Sequence, residues 1–360
     1  MLKLSTKETG SAPLEIRSGR LVCEKCNAEF PILAGVAVLV HDVRNYLISH
    51  VKGVMQAVPE AELPRDHLRD LLTARSELQV EHIEEDLESA RVTALYLMNH
   101  YLRVEKTETT SGSSSFERWW SPRTGEGSPL IDSLVREHWD RGPFAQIKTW
   151  VREIAGRTGS RQSVVELGCG VGGLYGELKT ELSSYLGVDS SFASIALGRH
   201  LALGVPYSGK ILIPEDLLQG PVTRELTGLA ATSLDGTADF VVGDLEAPPV
   251  EAGQSDLVLA LNAIDMLEDP SVLPQIQNLL LRKGGTAIQS CPYIWHEAVA
   301  SQLRKILPRE IRDSAAAAEW LSEKAGLKVM KRVNHLPWLF FKHVRQLEIY
   351  SVHLFAATKT

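Results

Sequence analysis

Ser163-Val164-Val165-Glu166-Leu167-Gly168-Cys169-Gly170-Val171-Gly172-Gly173 is the stretch on which the fold turns. Val164 and Val165 read as the end of a buried parallel strand, and the glycines then force a tight turn into a helix. Such a turn brings backbone close to a bulky ligand with no Cβ in the way. It also aims the first N–H groups of the helix at that ligand. Glu166 adds a carboxylate before the first glycine, at the lip of the sheet. The spacing Gly168-x-Gly170-x-x-Gly173 equally satisfies a dinucleotide fingerprint, with Asp189 about 20 residues on as the ribose acid. The glycines by themselves leave that choice open.

The 360 residues suit one large domain with a small one, or two domains. Apolar content of 44% and charged content of 23% belong to an ordinary soluble globular chain. A net charge of −7 weighs against a dedicated nucleic-acid surface. No basic, apolar, small-residue leader pattern opens the sequence, so no signal peptide is expected. The longest apolar run, residues 30–40, contains Pro31 and Gly35 and is too short for a membrane span. Four unevenly spaced cysteines suggest reduced thiols and hence the cytoplasm.

Outward from the glycine turn, composition divides the chain. Residues 1–45 hold Cys23-Glu24-Lys25-Cys26, a knuckle leading into a short hairpin through Gly35. Residues 46–104 read as a helical segment, with Leu63, Leu68, Leu71, Leu72, Ile83, Leu87, Val92, Leu95 and Met98 near helical spacing. Its acidic run from Glu81 to Glu88 reads as a solvated face, and His82 and His100 as surface or packed residues. Residues 105–129, rich in Ser, Thr and Gly, form a linker or lid carrying Trp119-Trp120. Those two rings either anchor the loop or contact a ligand. Residues 130–154 read as amphipathic helices broken at Gly142-Pro143, with Leu134, Val135, Trp139, Phe144, Ile147, Trp150, Val151 and Ile154 facing the core.

Beyond the glycines, Tyr185-Leu186-Gly187-Val188-Asp189 is the next strand, and its carboxyl end is where open parallel sheets bind ligands. Asp189 there accepts ribose hydroxyls, and Ser190 opens the following helix. Residues 205–237 exceed an ordinary connection and read as an insertion with a hairpin around Ile211 to Ile213. Asp239-Phe240-Val241-Val242-Gly243-Asp244-Leu245 ends a third strand in an acid. Ser255 to Asp269 gives a fourth strand and its loop, and Leu281 to Ile288 a turn and a fifth strand. In this order the five segments resemble the class I S-adenosylmethionine-dependent methyltransferases, whose first motif reads much like Glu166-Leu-Gly-Cys-Gly-Val-Gly. The resemblance implies an α/β, Rossmann-like, doubly wound sheet of seven strands over residues 130–360, preceded by the small module and helices. It implies S-adenosyl-L-methionine held by Glu166, Gly168, Cys169, Gly170, Gly172, Asp189 and Ser190, with Asp244 and Leu245 at the adenine and Asn262 and Ala263 beside them. Met266 stands where related enzymes often carry a histidine.

Two further resemblances follow. Residues 1–45 are similar to the second half of a zinc-ribbon-like domain that partners, or is fused to, some methyltransferases. The first cysteine pair is absent, so the module reads as a degenerate ribbon with no metal, and Cys23 and Cys26 are ligands only if a zinc site survives. A protein partner through this module is implied. Ser290-Cys291-Pro292-Tyr293-Ile294-Trp295-His296 and Pro337 to Arg345 resemble the methyltransferase domain of ovothiol-biosynthesis enzymes, which N-methylates a thiol-bearing histidine; Cys291 interrupts the first run. On this footing the acceptor is a small molecule reacting at N, O or S, and Tyr293, Asp265 and His343 are the catalytic candidates, with His296 nearby. Two rivals stay open: an NAD-dependent oxidoreductase, which Glu166 and Asp244 disfavour, and a non-catalytic cofactor-binding module that grips a partner.

Overall fold

The computed structural model describes residues 2–9, 15–58, 73, 93, 95–97, 99–100, 129–204, 211–212, 223–224, 237–343 and 346–360. All of the 105–129 linker but Pro129, including Trp119 and Trp120, most of the 46–104 segment and most of the 205–237 insertion lie outside them.

Alternating burial builds the centre. On β5 (Gln162–Leu167), Val164 faces one apolar cluster while Val165 and Leu167 face another. Parallel neighbours bury both faces in turn. They are β6 (Leu182–Asp189), β9 (Ala238–Gly243), β10 (Ser255–Leu261) and β11 (Leu281–Cys291). β12 (Leu327–His343) and β13 (Gln346–Lys359) close that side, β13 running antiparallel to both β11 and β12. The seven strands stand in the order β9-β6-β5-β10-β11-β13-β12. On one face lie α4 (Pro143–Thr158), α5 (Gly173–Leu178) and α6 (Phe192–Leu203); on the other α7 (Val272–Leu280), α8 (Glu297–Ile306) and α9 (Ser314–Lys324). This is the doubly wound architecture expected. The break at Gly142-Pro143 separates α3 (Pro129–Arg141) from α4, with Pro143 opening the second helix. In the insertion, β7 (Ile211–Leu212) pairs antiparallel with β8 (Thr223–Arg224).

The first residues do more than precede the domain. β1 (Leu2–Thr9), β2 (Ile16–Cys23), β3 (Glu29–Leu33) and β4 (Val36–Leu39) form an antiparallel meander, and β4 then pairs in parallel with β9 through Val38↔Val242 and Leu39↔Gly243. The expected separate module is thus the outer part of one 11-stranded sheet. The physical reason is the edge: β9 would otherwise present unpaired N–H and C=O groups. α1 (Val43–Ser49) and α2 (Val51–Ala57) follow β4 and bury Tyr46, Leu47, Val51 and Val54 in the cluster that holds Phe192 and Ile195 of α6. Polar contacts add to the joint: Arg199 of α6 pairs with Asp239, and buried Glu15 stabilises the Arg199 guanidinium against its own burial. No helix among the described residues is long and apolar enough to cross a membrane.

Phe240 decides how closely the strands and the glycine turn meet. Its ring is fully buried and fills the space over Gly172 and Gly187. A Cβ on Gly187 would lie 2.5 Å from Phe240 Cδ1 and 2.8 Å from Cys169 Sγ. Gly187→Ala should therefore lower stability by about 1–3 kcal/mol, since the core has no room to yield. Adding Phe240→Leu should recover part of that loss, as non-additive denaturant midpoints would show.

Candidate active site

The glycine turn is built as its composition demands. Gly168, Gly170 and Gly172 hold φ of +74°, +55° and +72°, a region costly to any residue with a Cβ. The N–H groups of Gly168 and Cys169 both donate to the Val188 carbonyl, at 2.8 and 3.2 Å, so the turn is fastened to the end of β6. Asp189 completes the fastening. Its Oδ2 accepts the Gly170 N–H and its Oδ1 the Ser191 N–H, each at 2.8 Å. Burial raises the Asp189 carboxyl above its usual range, and those amides oppose the rise.

Four strand ends converge here. A Cβ on Gly168 would face the Ala263 Cβ at 3.7 Å and Leu245 Cδ1 at 3.9 Å, so Leu245 and Ala263 stand over the turn. Asp244 is exposed at the tip of β9 and accepts the Glu246 N–H at 2.9 Å. Asn262 ends β10 with φ +52°, its N–H bound to the Ser290 carbonyl at 2.7 Å. Asn tolerates that conformation better than most residues.

The residues expected at this end divide into two groups. Gly168, Gly170, Gly172, Asp189, Ser190, Leu245, Asn262 and Ala263 lie around the turn. Glu166 does not reach the lip. It is 2% exposed, and its carboxyl receives the Tyr185 hydroxyl within the sheet face that Val164 shares. Burial there pushes its pKa up to about 8, with the Tyr185 hydrogen bond opposing. The Cys169 thiol is likewise buried and pushed well above its usual range by that burial.

The acceptor-side candidates are committed to internal partners. Asp265 is 5% exposed, its Oδ2 accepting the Ile294 N–H at 2.8 Å, instead of standing at the mouth. Tyr293 has φ +60° and stacks on Trp295, and its hydroxyl meets His353 Nδ1 at 2.8 Å. His353 Nε2 lies 3.2 Å from Glu319, which also takes Arg332 at 2.8 Å. Burial lowers the His353 pKa to about 4, helped by Arg332, so the ring is neutral near pH 7. Nε2–H then donates to Glu319 and Nδ1 accepts the tyrosine O–H. His343 ends β12 opposite Gln346, and its side chain lies outside the described residues. His296 is exposed at the start of α8.

Sequence spacing did not single out the residues that stand over the turn. His100 packs on Gly173, accepting its N–H at Nδ1 at 3.3 Å, and burial lowers its pKa to about 4. Tyr96, one helical turn earlier, makes an edge contact with Phe340 of β12 at 6.3 Å, and Phe340 lies 6.5 Å from Tyr350 of β13. The available signal was the Tyr96/His100 pair four apart, on one helix face. At the far edge of the sheet, Cys23 and Cys26 are free thiols in a knuckle whose Cys26 and Lys25 amides lower the Cys23 pKa. Among the described residues no group of three or more His, Cys, Asp or Glu is placed to hold a metal ion.

The glycine turn, the strand-end acid Asp189 and the Leu245 and Ala263 side chains thus meet at one end of a doubly wound sheet. The family model described as a methyltransferase domain matches residues 138–332, more than half of the chain, and the chain belongs to that family. Solved structures with a similar fold include the magnesium protoporphyrin IX methyltransferase of Synechocystis with bound S-adenosylmethionine. It is 15% identical, with a TM-score of 0.40, over 75% of this chain and 97% of that one. Another is a complex of the Haloferax volcanii Trm112 methyltransferase activator with a methyltransferase, 18% identical, TM-score 0.39, over 69% of this chain and 99% of that chain. No curated protein matches the chain in sequence.

Two pH dependences follow from these burials. The unfolded chain protonates His353 near pH 6.5 and the native state only near 4, so its contribution to stability is complete above 6.5 and lost as pH falls to 4. His353→Gln should flatten that acid limb in thermal melts. Glu166 has the opposite sign: native chain keeps its proton up to about pH 8, unfolded chain only to about 4.5, so stability falls as pH rises between them. Glu166→Gln should remove that fall.

Proposed function

We propose that the chain transfers the methyl group of S-adenosylmethionine to a small-molecule nitrogen, oxygen or sulfur acceptor. One observation supports this above the others: the glycine turn, Asp189 and the Leu245/Ala263 pair occupy one end of the sheet. The residues fit the donor. The Asp189 carboxylate receives the Gly170 and Ser191 amides, the Ser190 backbone also favours its charged form, and its remaining acceptor capacity serves the ribose hydroxyls. Gly168 leaves its side without a Cβ, which suits a flat base beside Leu245 and Ala263. Asp244 then meets the exocyclic amine, and the backbone of Gly170 and Gly172 faces the amino-acid end. Bound there, the donor supplies an electrophilic methyl on a sulfonium.

This chain's part is alignment, because in-line displacement depends first on how the acceptor is held. We assign Tyr293 and Asp265 to framing the acceptor side. Tyr293 is braced by His353 and Glu319, and Asp265 by the Ile294 amide. Tyr96 offers an aromatic ring beside the turn, and behind it Phe340, with the Lys342 ammonium over its ring, leads to Tyr350, whose hydroxyl Glu348 receives. Such a ring favours an aromatic or cationic acceptor, so imidazoles, a thiol-bearing histidine among them, and amines come ahead of plain thiols. We place the chemistry in the cytoplasm, where its four free cysteines stay reduced.

Calorimetric titration with S-adenosylmethionine, S-adenosylhomocysteine and NAD tests the reading. Micromolar binding of the first two, abolished by Asp189→Ala, is expected, followed by transfer of labelled methyl to an imidazole or amine in an acceptor screen. Binding of NAD alone would overturn it.

A further inference from the structure

Tyr46, on the first helix after the sheet-edge meander, touches the cofactor end of the sheet. It is 8% exposed, and its hydroxyl donates to the Ser190 carbonyl at 2.6 Å. Ser190 lies between Asp189 and Ser191, whose hydroxyl receives the Ser194 N–H and caps α6. The Ser190 carbonyl and the Ser191 N–H belong to a single peptide group. Tyr46 therefore holds the oxygen of that peptide while Asp189 holds its N–H at 2.8 Å. A peptide bound at both ends is fixed in orientation, and each of its hydrogen bonds polarises the other. The direction in which Asp189 Oδ1 is engaged, and so where its remaining lone pair points, is set by that plane.

The ring that makes this contact is itself immobile. It stacks on His50 at 4.2 Å and an interplanar angle of 20°, and it packs with Leu47 and Val51 in the cluster shared with α6. The rest of the module is anchored without the hydroxyl, through the pairing of β4 with β9 and through Glu15 beside Arg199. Removing only the oxygen of Tyr46 thus separates its effect on Asp189 from the docking of the module.

We propose that Tyr46 is a positioning residue for the donor's ribose, acting through the Ser190–Ser191 peptide on Asp189, so that the helix following the N-terminal meander sets donor affinity. This rests on the reading that Asp189 takes the ribose hydroxyls.

The test compares the full-length chain with its Tyr46→Phe variant, titrated with S-adenosylhomocysteine and with the 2′,3′-dideoxy analogue of that ligand. The variant should bind S-adenosylhomocysteine about tenfold more weakly, the scale of one hydrogen bond, while its affinity for the dideoxy analogue stays at the wild-type value. The penalty then appears only where ribose hydroxyls are present, which a loss of packing would not produce. Equal weakening for both ligands, or none for either, overturns the inference while leaving the donor reading in place. Wild-type chain that binds neither ligand overturns the donor reading and this inference together.

Discussion

Everything at the carboxyl end of this sheet depends on one carboxylate that accepts two backbone amides. Asp189 joins the turn after β5, through Gly170, to the turn after β6, through Ser191. The first turn needs such ties, because its three glycines in the left-handed region are as free in the unfolded chain as any residues can be. The parallel register Leu167↔Val188 brings the two strand ends level, and the buried Phe240 ring fills the space that the glycines leave beneath them. An acid in this place is expensive to bury, and the amides offset that cost.

The other half of the site is stiffened differently, by side chains that satisfy one another across the sheet. Tyr293, His353 and Glu319 form a chain of hydrogen bonds from the loop after β11, through β13, to α9. A buried network of this kind rigidifies when every member is satisfied. Asp265 ties the loops after β10 and β11 together through the Ile294 amide. Of the three candidate catalytic groups, Tyr293 and Asp265 are thus spent on shape. A methyl transfer governed by alignment needs that shape more than it needs a free base.

What could be read from the chain beforehand was what the backbone dictates locally. The glycine turn and the strand-end acid Asp189 follow from strand periods and from the rule that ligands meet the carboxyl ends of parallel strands, whereas the placement of Leu245 and Ala263 came from the resemblance to the methyltransferases. The orientation of Glu166 was also legible, though misread: it shares a strand face with Val164, and that face is core. His353 and Tyr46 carried no such signal. Each acts on a partner far off in sequence, Tyr293 in one case and Ser190 in the other, and only tertiary packing brings them together. The pairing of β4 with β9 is another contact of this kind, because a cysteine knuckle says nothing about which sheet edge it will cover.

That pairing bears on how the chain reaches its fold. β4 and β9 are separated by about 200 residues along the sequence, so their parallel ladder waits until more than half of the chain has been made. The meander of β1 to β4 is local and can form as soon as it is synthesised. When β9 emerges, a ready-made strand awaits it, and the interval in which a hydrophobic edge stands open to neighbouring chains is shortened. In this light the meander guards the outer edge of β9.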